Sequence, residues 1–304
     1  MNFLRLIRPV NLVLIALVQL VAKYGLFQNL EASMALDGVH FAMLLLATLS
    51  IAAGGYIIND IYDVEIDKIN KPTSRLIGKT ISEKYALRAY FICTVTGVVL
   101  GFYLSNSIQR PGFAALFIVI AALLYLYASY LKGVLVVGNV VIAGLVAISL
   151  LILGLFDLLP AITVDNRETQ ATVFRVLMHY SLFALLLNFI RELVKDILDI
   201  NGDKNGGLST LPIAIGRKRT ITIVFLLGLL LTLLIVGYMY SYLYHDKVMV
   251  LYFLFLIVAP MLYFCVRAWN AEQPKDYLML SRLLKLIMLF GICSMAFYPR
   301  LFEL

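Results

Sequence analysis

The chain has 304 residues, of which 62% are hydrophobic and only 14% charged; its mean hydropathy is +0.94 and its net charge +7. Soluble domains carry roughly 45–50% apolar and about 25% charged residues, so this composition excludes a water-soluble globular protein and points to a polytopic membrane protein. Cys93, Cys265 and Cys293 stand far apart in apolar runs and His40, His179 and His245 are scattered singly, which excludes a disulfide framework, a CxxC metal site and an HExxH enzyme.

A bilayer-spanning helix needs roughly 20 mostly apolar residues. In chain order the candidates are 9–27, 39–59, 86–105, 112–130, 134–156, 172–194, 220–242, 248–267 and 281–298, with Pro72, Pro111 and Gly133 marking ends. The first run follows Arg5 and Arg8 as the core of a signal peptide would. It is as long as a span, however, and no small-x-small cleavage site follows, so it reads as the first transmembrane helix. The expected fold is an all-α bundle of about nine transmembrane helices, one domain over 1–304.

Lysines and arginines set its orientation. The N-terminus, the loops after the second, sixth and eighth helices, and Lys132 after the fourth hold 19 of the 25. Lys23, Arg110, Arg167, Arg175, Lys247 and Arg300 make up the other face. The positive-inside rule makes the richer face cytoplasmic, in a multi-pass protein of the cell (inner) membrane with its N-terminus inside. Topology and contact with anionic headgroups of the lipid bilayer account for the net positive charge, so nucleic acid is not implied.

Two short stretches stand out at the cytoplasmic ends of helices 2 and 6. The first, "NDIYDVEID", places Asp60, Asp63 and Asp67 three and four residues apart; the second, "DILDINGD", repeats that spacing in Asp196, Asp199 and Asp203. On a continuous helix such positions fall within about 60° of arc, where three carboxylates repel one another. One acidic triad could be a solvated helix end. Recurrence on the same membrane face, with an isoleucine after the first aspartate in both copies, points to converging hard oxygen ligands. Mg²⁺ bridging to a phosphate suits them, since that ion takes one or two carboxylates and leaves its other positions to water and substrate.

Six carboxylates, two Mg²⁺ and a diphosphate would still leave a charge of about −5, which demands neighbouring cations. Lys71 and Arg75 follow the first triad, Arg191, Lys195 and Lys204 surround the second, and Lys132 lies between helices 4 and 5. As a set they suit diphosphate oxygens. An apolar bundle with such a rim fits an amphiphile, and a polyprenyl diphosphate has that shape. Tyr62, Tyr125, Tyr127 and Tyr130 lie where an aromatic face could stabilise an allylic cation.

These residues resemble a known family. "NDIYDVEIDKINKPTSRLIGKTIS" is similar to the first signature of the UbiA superfamily of intramembrane prenyltransferases, "DILDINGDKNGGLSTLPIAIG" to the second, and "RPVN" at 8–11 to its N-terminal segment. The resemblance implies Mg²⁺-dependent transfer of a prenyl group from its diphosphate. Asn59, Asp60, Asp63 and Asp67 would serve one metal, and Asp196, Asp199 and Asp203 the other. "RELVKDILDINGD" resembles the branch that prenylates geranylgeranylglyceryl phosphate, which implies ether formation on a lipid-like acceptor. Leu76, Leu198 and Asn201 depart from that branch's pattern, and an aromatic acceptor of quinone or chlorophyll-type synthesis is the alternative. A cation transporter is the remote one, because transport places charge near mid-span and the acids here gather at helix ends.

The topology has a direct test. In a background lacking Cys93, Cys265 and Cys293, single cysteines at Thr73 and Leu208 are expected to be blocked only by cytoplasmic thiol reagents, and one at Asn166 only from outside. An outward-facing Thr73 would contradict the charge bias.

Overall fold

The computed structural model describes residues 2–70 and 72–298; Lys71 and Arg300 lie outside the described residues. Among those described, nine helices are long and apolar enough to cross a membrane, and there are no strands. They are α1 (Pro9–Phe27), α2 (Gly38–Tyr62), α3 (Glu83–Ser107), α4 (Pro111–Ser129), α5 (Val137–Ala161), α6 (Arg167–Asn205), α7 (Arg217–Leu243), α8 (Lys247–Trp269) and α9 (Pro274–Ser294).

Most ends follow local chemistry. Asp37 caps α2 by accepting from His40 N, Ser82 caps α3, Asp246 caps α8 through Val248 N and Met249 N, and Gln273 with Asp276 closes a capping box on α9. The largest departure from the hydropathy reading is α6. It runs 39 residues and carries the second acidic triad inside the helix, well past position 194. Hydropathy marks where a chain leaves hydrocarbon; the i to i−4 hydrogen bonds continue beyond that point as long as polar residues tolerate the helix.

Six helices, α1, α2, α4, α5, α6 and α9, surround a central cavity. α6 packs between α5 and α9, and α2 between α1 and α4, while α3, α7 and α8 lie outside this ring. Hydrocarbon offers no hydrophobic drive between helices, so close packing has to hold them together. α2 and α3 illustrate it: a Cβ on Gly54 would sit 2.7 Å from Thr94 Oγ1, and one on Gly97 2.9 Å from the Ala47 carbonyl oxygen.

Two π-helical turns, Val21–Phe27 in α1 and Gly154–Leu158 in α5, carry a buried ion pair. Lys23 Nζ lies 2.6 Å from Asp157 Oδ2 and donates to the Leu36 carbonyl at 2.9 Å, while Asp157 Oδ1 accepts from Leu36 N at 2.8 Å. Lys23 is 3% exposed and Asp157 fully buried, so the pair pins the α1–α2 connection against α5. Lys23 is therefore an internal tie, although the charge count places it with the outer face.

Removing one partner of a buried pair typically costs about 3–5 kcal/mol, because the survivor is left uncompensated. Lys23→Met is thus expected to lower the melting temperature markedly, and Lys23→Met with Asp157→Leu to recover much of the loss. Turnover per folded molecule should hold in both, since Lys23 is fifteen residues, about 22 Å, from Arg8 along α1. A single variant that melts like the parent would remove this pair from the supports of the fold.

Candidate active site

The two acidic motifs reach the cavity by different backbone routes. α2 ends at Tyr62, and Asp63 adopts φ −86°, ψ 4°, breaking the helix before the short helix Val64–Asn70 begins. The first triad is therefore not a stripe on one helix. Asp60 belongs to α2, Asp63 to the break, and Asp67 to the short helix. The second triad stays on α6, which continues to Asn205, as the spacing predicts.

Asn70 ties the two motifs together. Its side-chain amide donates to the Asp199 carbonyl at 2.8 Å and accepts from Gly202 N at 2.8 Å. A Cβ on Gly202 would fall 2.5 Å from Asn70 Cγ, so only glycine lets this amide approach the α6 backbone.

The cavity has a volume of about 420 Å³. Asn59, Asp63, Lys132, Arg191, Lys195, Asp196, Asp199 and Asp203 all line it; Asp60, Asp67, Arg75 and Lys204 do not. Asp67 is buried beside it, Arg75 is half-buried with Nε lacking a hydrogen-bond partner, and Lys204 is exposed. Along α2 the lining runs from Asp63 back to Thr48, fifteen residues or about 22 Å of helix, and apolar side chains such as Ile51, Phe117 and Ile152 close the far end.

The acids are engaged by neighbours that the motifs alone do not name. Lys132, on the turn between α4 and α5, places Nζ 2.5 Å from Asp63 Oδ2, which also accepts from Asn59 Nδ2 at 2.7 Å. Asn59, expected at a metal, thus orients Asp63. Burial pulls the Lys132 ammonium pKa down, but Asp63, helped by Asp203 and Asp199, outweighs it and holds the group above its ordinary value. Asp196 Oδ2 accepts from Asn139 Nδ2 at 2.8 Å, and Arg8 Nη2 lies 2.6 Å from Asp60 Oδ1. Arg8 holds a left-handed backbone, φ 52°, just before Pro9, and stacks over Tyr56 at 5.1 Å. For a non-glycine residue that conformation costs about 1–3 kcal/mol, a strain concentrated at functional positions. Glu192 joins Lys195 at 2.7 Å and Arg191 at 3.4 Å.

Of the four tyrosines singled out in the sequence, Tyr127 lines the cavity, joined by Tyr56. Tyr62 and Tyr125 pair with each other through their hydroxyls at 2.9 Å on the exposed side of their helices, and Tyr130 is 70% exposed. These three are corrected to surface positions, because helical phase turns them away from the ring's interior. Arg8, Asn70, Asn139, Glu192 and Lys285 emerge only in three dimensions. "RPVN" and "RELVKD" flagged the neighbourhoods of Arg8 and Glu192, whereas Asn139 and Lys285 are single polar residues within spans, a signal that carries no partner by itself.

Among the described residues no three Asp, Glu, His or Cys side chains draw close enough to close on one ion. The donors are nonetheless all hard oxygens, and Asp203 Oδ1 is buried with no hydrogen-bond partner. A cation that takes one or two carboxylates and fills its shell with water and phosphate fits such a set.

Comparison with known proteins agrees with this geometry. Residues 12–286 match the UbiA prenyltransferase family. Digeranylgeranylglyceryl phosphate synthase from Thermococcus kodakarensis is 36% identical over 218 residues, 71% of this chain and 70% of that one; the Korarchaeum cryptofilum synthase is 32% identical over 269 residues, 86% of each. A solved structure concerned with digeranylgeranylglyceryl phosphate synthase in membranes covers 98% of this chain and 97% of its own, with a TM-score of 0.63 and 26% identity. A UbiA homolog from Archaeoglobus fulgidus bound to GPP and Mg²⁺ shares the fold, with a TM-score of 0.59 and 16% identity over 97% of this chain and 99% of that one. A family pattern that runs through nine-tenths of the sequence, on a bundle the solved relatives share, settles the matter: the chain belongs to the UbiA prenyltransferase family.

Proposed function

We propose that this protein transfers a geranylgeranyl group from its diphosphate to geranylgeranylglyceryl phosphate, making the second ether of a membrane lipid, with Mg²⁺ as cofactor. The observation that carries this reading is the convergence of both acidic motifs and Lys132 at one end of an apolar cavity whose lining follows α2 for about 22 Å. An extended twenty-carbon prenyl chain is about that long. The names of the relatives from Thermococcus and Korarchaeum supply the acceptor, and the Archaeoglobus homolog the metal and diphosphate. One domain over 1–304 does this work at the cytoplasmic face, where the lysine and arginine bias places the acids.

Asp60, Asp63 and Asp67, with Asn59 orienting Asp63, would hold one ion, and Asp196, Asp199 and Asp203 the other; Asp203 Oδ1 is the unmet acceptor. Bound Mg²⁺ supplies charge neutralisation of the diphosphate and makes it a better leaving group. The protein's cations complete that task. Lys132 leads them, Arg191 and Lys195 line the cavity, Arg75 lies in the loop before α3, Lys204 ends α6, and Lys71 follows Asn70 in the sequence. As the C1–O bond breaks, its electron pair leaves with the diphosphate oxygen, and the allylic cation lies among apolar walls and the Tyr127 ring, where cation–π attraction lowers its energy. The acceptor hydroxyl then forms the C–O bond and releases its proton.

Chelation should abolish turnover, and added Mg²⁺ should restore it; full activity in excess EDTA would sink the metal requirement. The aspartates then divide into two kinds. Asp203→Asn removes a charge whose burial and repulsion by Asp199, Asp196 and Asp63 outweigh the pull of Lys132, so it should melt no lower than the parent while losing about 10²–10³ in turnover. Asp63→Asn should lose turnover and stability together, because the half-buried Lys132 ammonium keeps its neighbour's shape but not its charge. An Asp203→Asn protein transferring prenyl groups at the parental rate would take that residue out of the site.

A further inference from the structure

Four cations line the cavity on the flank away from Lys132: Arg8 at the start of α1, Arg191 and Lys195 on α6, and Lys285 on α9. The order of the ring separates them from Lys132. The acids on α2 and α6 have the α4–α5 turn on one side, with α1 and α9 on the other. Two carboxylates answer the four cations, Asp60 at Arg8 and Glu192 between Lys195 and Arg191, leaving a net charge of +2. Among the described residues Lys285 has neither an ion-pair nor a hydrogen-bond partner, and Arg191 Nε is buried without one. Arg191, Lys195 and Arg8 all act on Lys285 as like charges. Lys285 stands eleven residues into α9, about 16 Å from its start, where an uncompensated charge is expensive and marks a site.

We propose that Arg8, Arg191, Lys195 and Lys285 form a second anion site, which holds the phosphate monoester of the acceptor. The proposal rests on the reading above, in which the acceptor is a glycerol lipid phosphate, and it narrows the partners of the diphosphate to Lys132 with Lys71, Arg75 and Lys204. Charge matches the ligand: a phosphate monoester carries about −1.5 to −2 near neutral pH, whereas an aromatic carboxylate carries −1 and would leave the site cationic. Shape matches as well, because the two guanidinium groups can each grip two phosphate oxygens. The two phosphate groups then lie on opposite flanks of the acids, with the reacting carbon and hydroxyl between them.

The test compares the parent, Lys285→Met and Lys285→Arg with geranylgeranyl diphosphate and two acceptors, geranylgeranylglyceryl phosphate and its dephosphorylated alcohol. Lys285→Met should raise KM for the phosphorylated acceptor about 10- to 100-fold, as loss of a charged hydrogen bond does. KM for the diphosphate should stay within about threefold. Lys285→Arg should recover most of the loss, and the alcohol should respond to neither change. Because Lys285 faces like charges, Lys285→Met should melt no lower than the parent. Titration calorimetry adds a readout independent of turnover: the phosphorylated acceptor should bind the parent in EDTA. Acceptor binding abolished by EDTA, or a Lys285→Met enzyme with parental acceptor KM, would overturn this site while leaving the prenyl transfer intact. A parent inactive on the phosphorylated acceptor would overturn the acceptor reading and this site together.

Discussion

Charge beside hydrocarbon is the constraint on which the rest of this structure depends. An ion taken out of water costs several kcal/mol even after relaxation, so each buried charge has to meet an opposite one or a dense set of hydrogen bonds. Lys23 and Asp157 satisfy this rule at one end of α1 and α5, where their pairing also pins the chain between α1 and α2. At the other end the same rule is satisfied by longer reaches: Lys132 crosses from the α4–α5 turn to Asp63, Arg8 twists its backbone to meet Asp60, and Asn139 serves Asp196. Among the described charged groups that line the cavity, Asp203 Oδ1 and the cluster around Lys285 stay unmet. One is an acceptor without a hydrogen-bond donor and the other carries an excess of positive charge, which are the two features that the proposed metal and acceptor phosphate would answer.

The bundle was largely legible in the sequence because hydropathy measures the property that a bilayer selects. Nine apolar runs became nine helices among the described residues, displaced by a few positions at most ends. The errors came where hydropathy and backbone geometry part company. α6 stays helical for eleven residues past the predicted end, since hydrogen bonding does not stop at the edge of the hydrocarbon. α2 stops at Tyr62 although the acid spacing suits a continuing helix, and no residue type at 60–64 announces the break. Of the residues singled out for the site, Asn59, Asp63, Lys132, Arg191, Lys195, Asp196, Asp199 and Asp203 came together in one cavity, whereas Asp60, Asp67, Arg75 and Lys204 did not reach its lining. Arg75 lies in a loop past the first motif and has no fixed direction in sequence; Lys204 is helical, and its phase on α6 turns it to the exposed side.

The partners that complete the site were hidden for a different reason. Asn139 lies 57 residues from Asp196 and Lys132 69 from Asp63, so local spacing could not link them. The Asn70 amide grips a backbone carbonyl and a backbone N–H 129 and 132 residues away, and the signature it satisfies is the absence of a side chain at Gly202. That glycine reads in sequence as a flexible position. In the structure it is a packing requirement, fixed by an asparagine in the opposite motif.

The direction of the helices at the site has its own consequence. Asp60 stands at the C-terminus of α2 and Asp203 at that of α6, where the aligned peptide dipoles present roughly −0.5 of an elementary charge, while Asp67 lies in the first turn of the short helix Val64–Asn70. Many phosphate sites use the other end, where backbone N–H groups point at the anion. At those two ends the backbone deepens the negative potential of the aspartates it carries. Attraction for an anion there has to come from side-chain cations and bound metal, which act only while their charge is present. Capture of a diphosphate between these two helix ends is therefore conditional by construction: without bound cations the acids there oppose the charged head, and hydrophobic partition of the prenyl chain into the greasy channel behind them has to overcome that opposition.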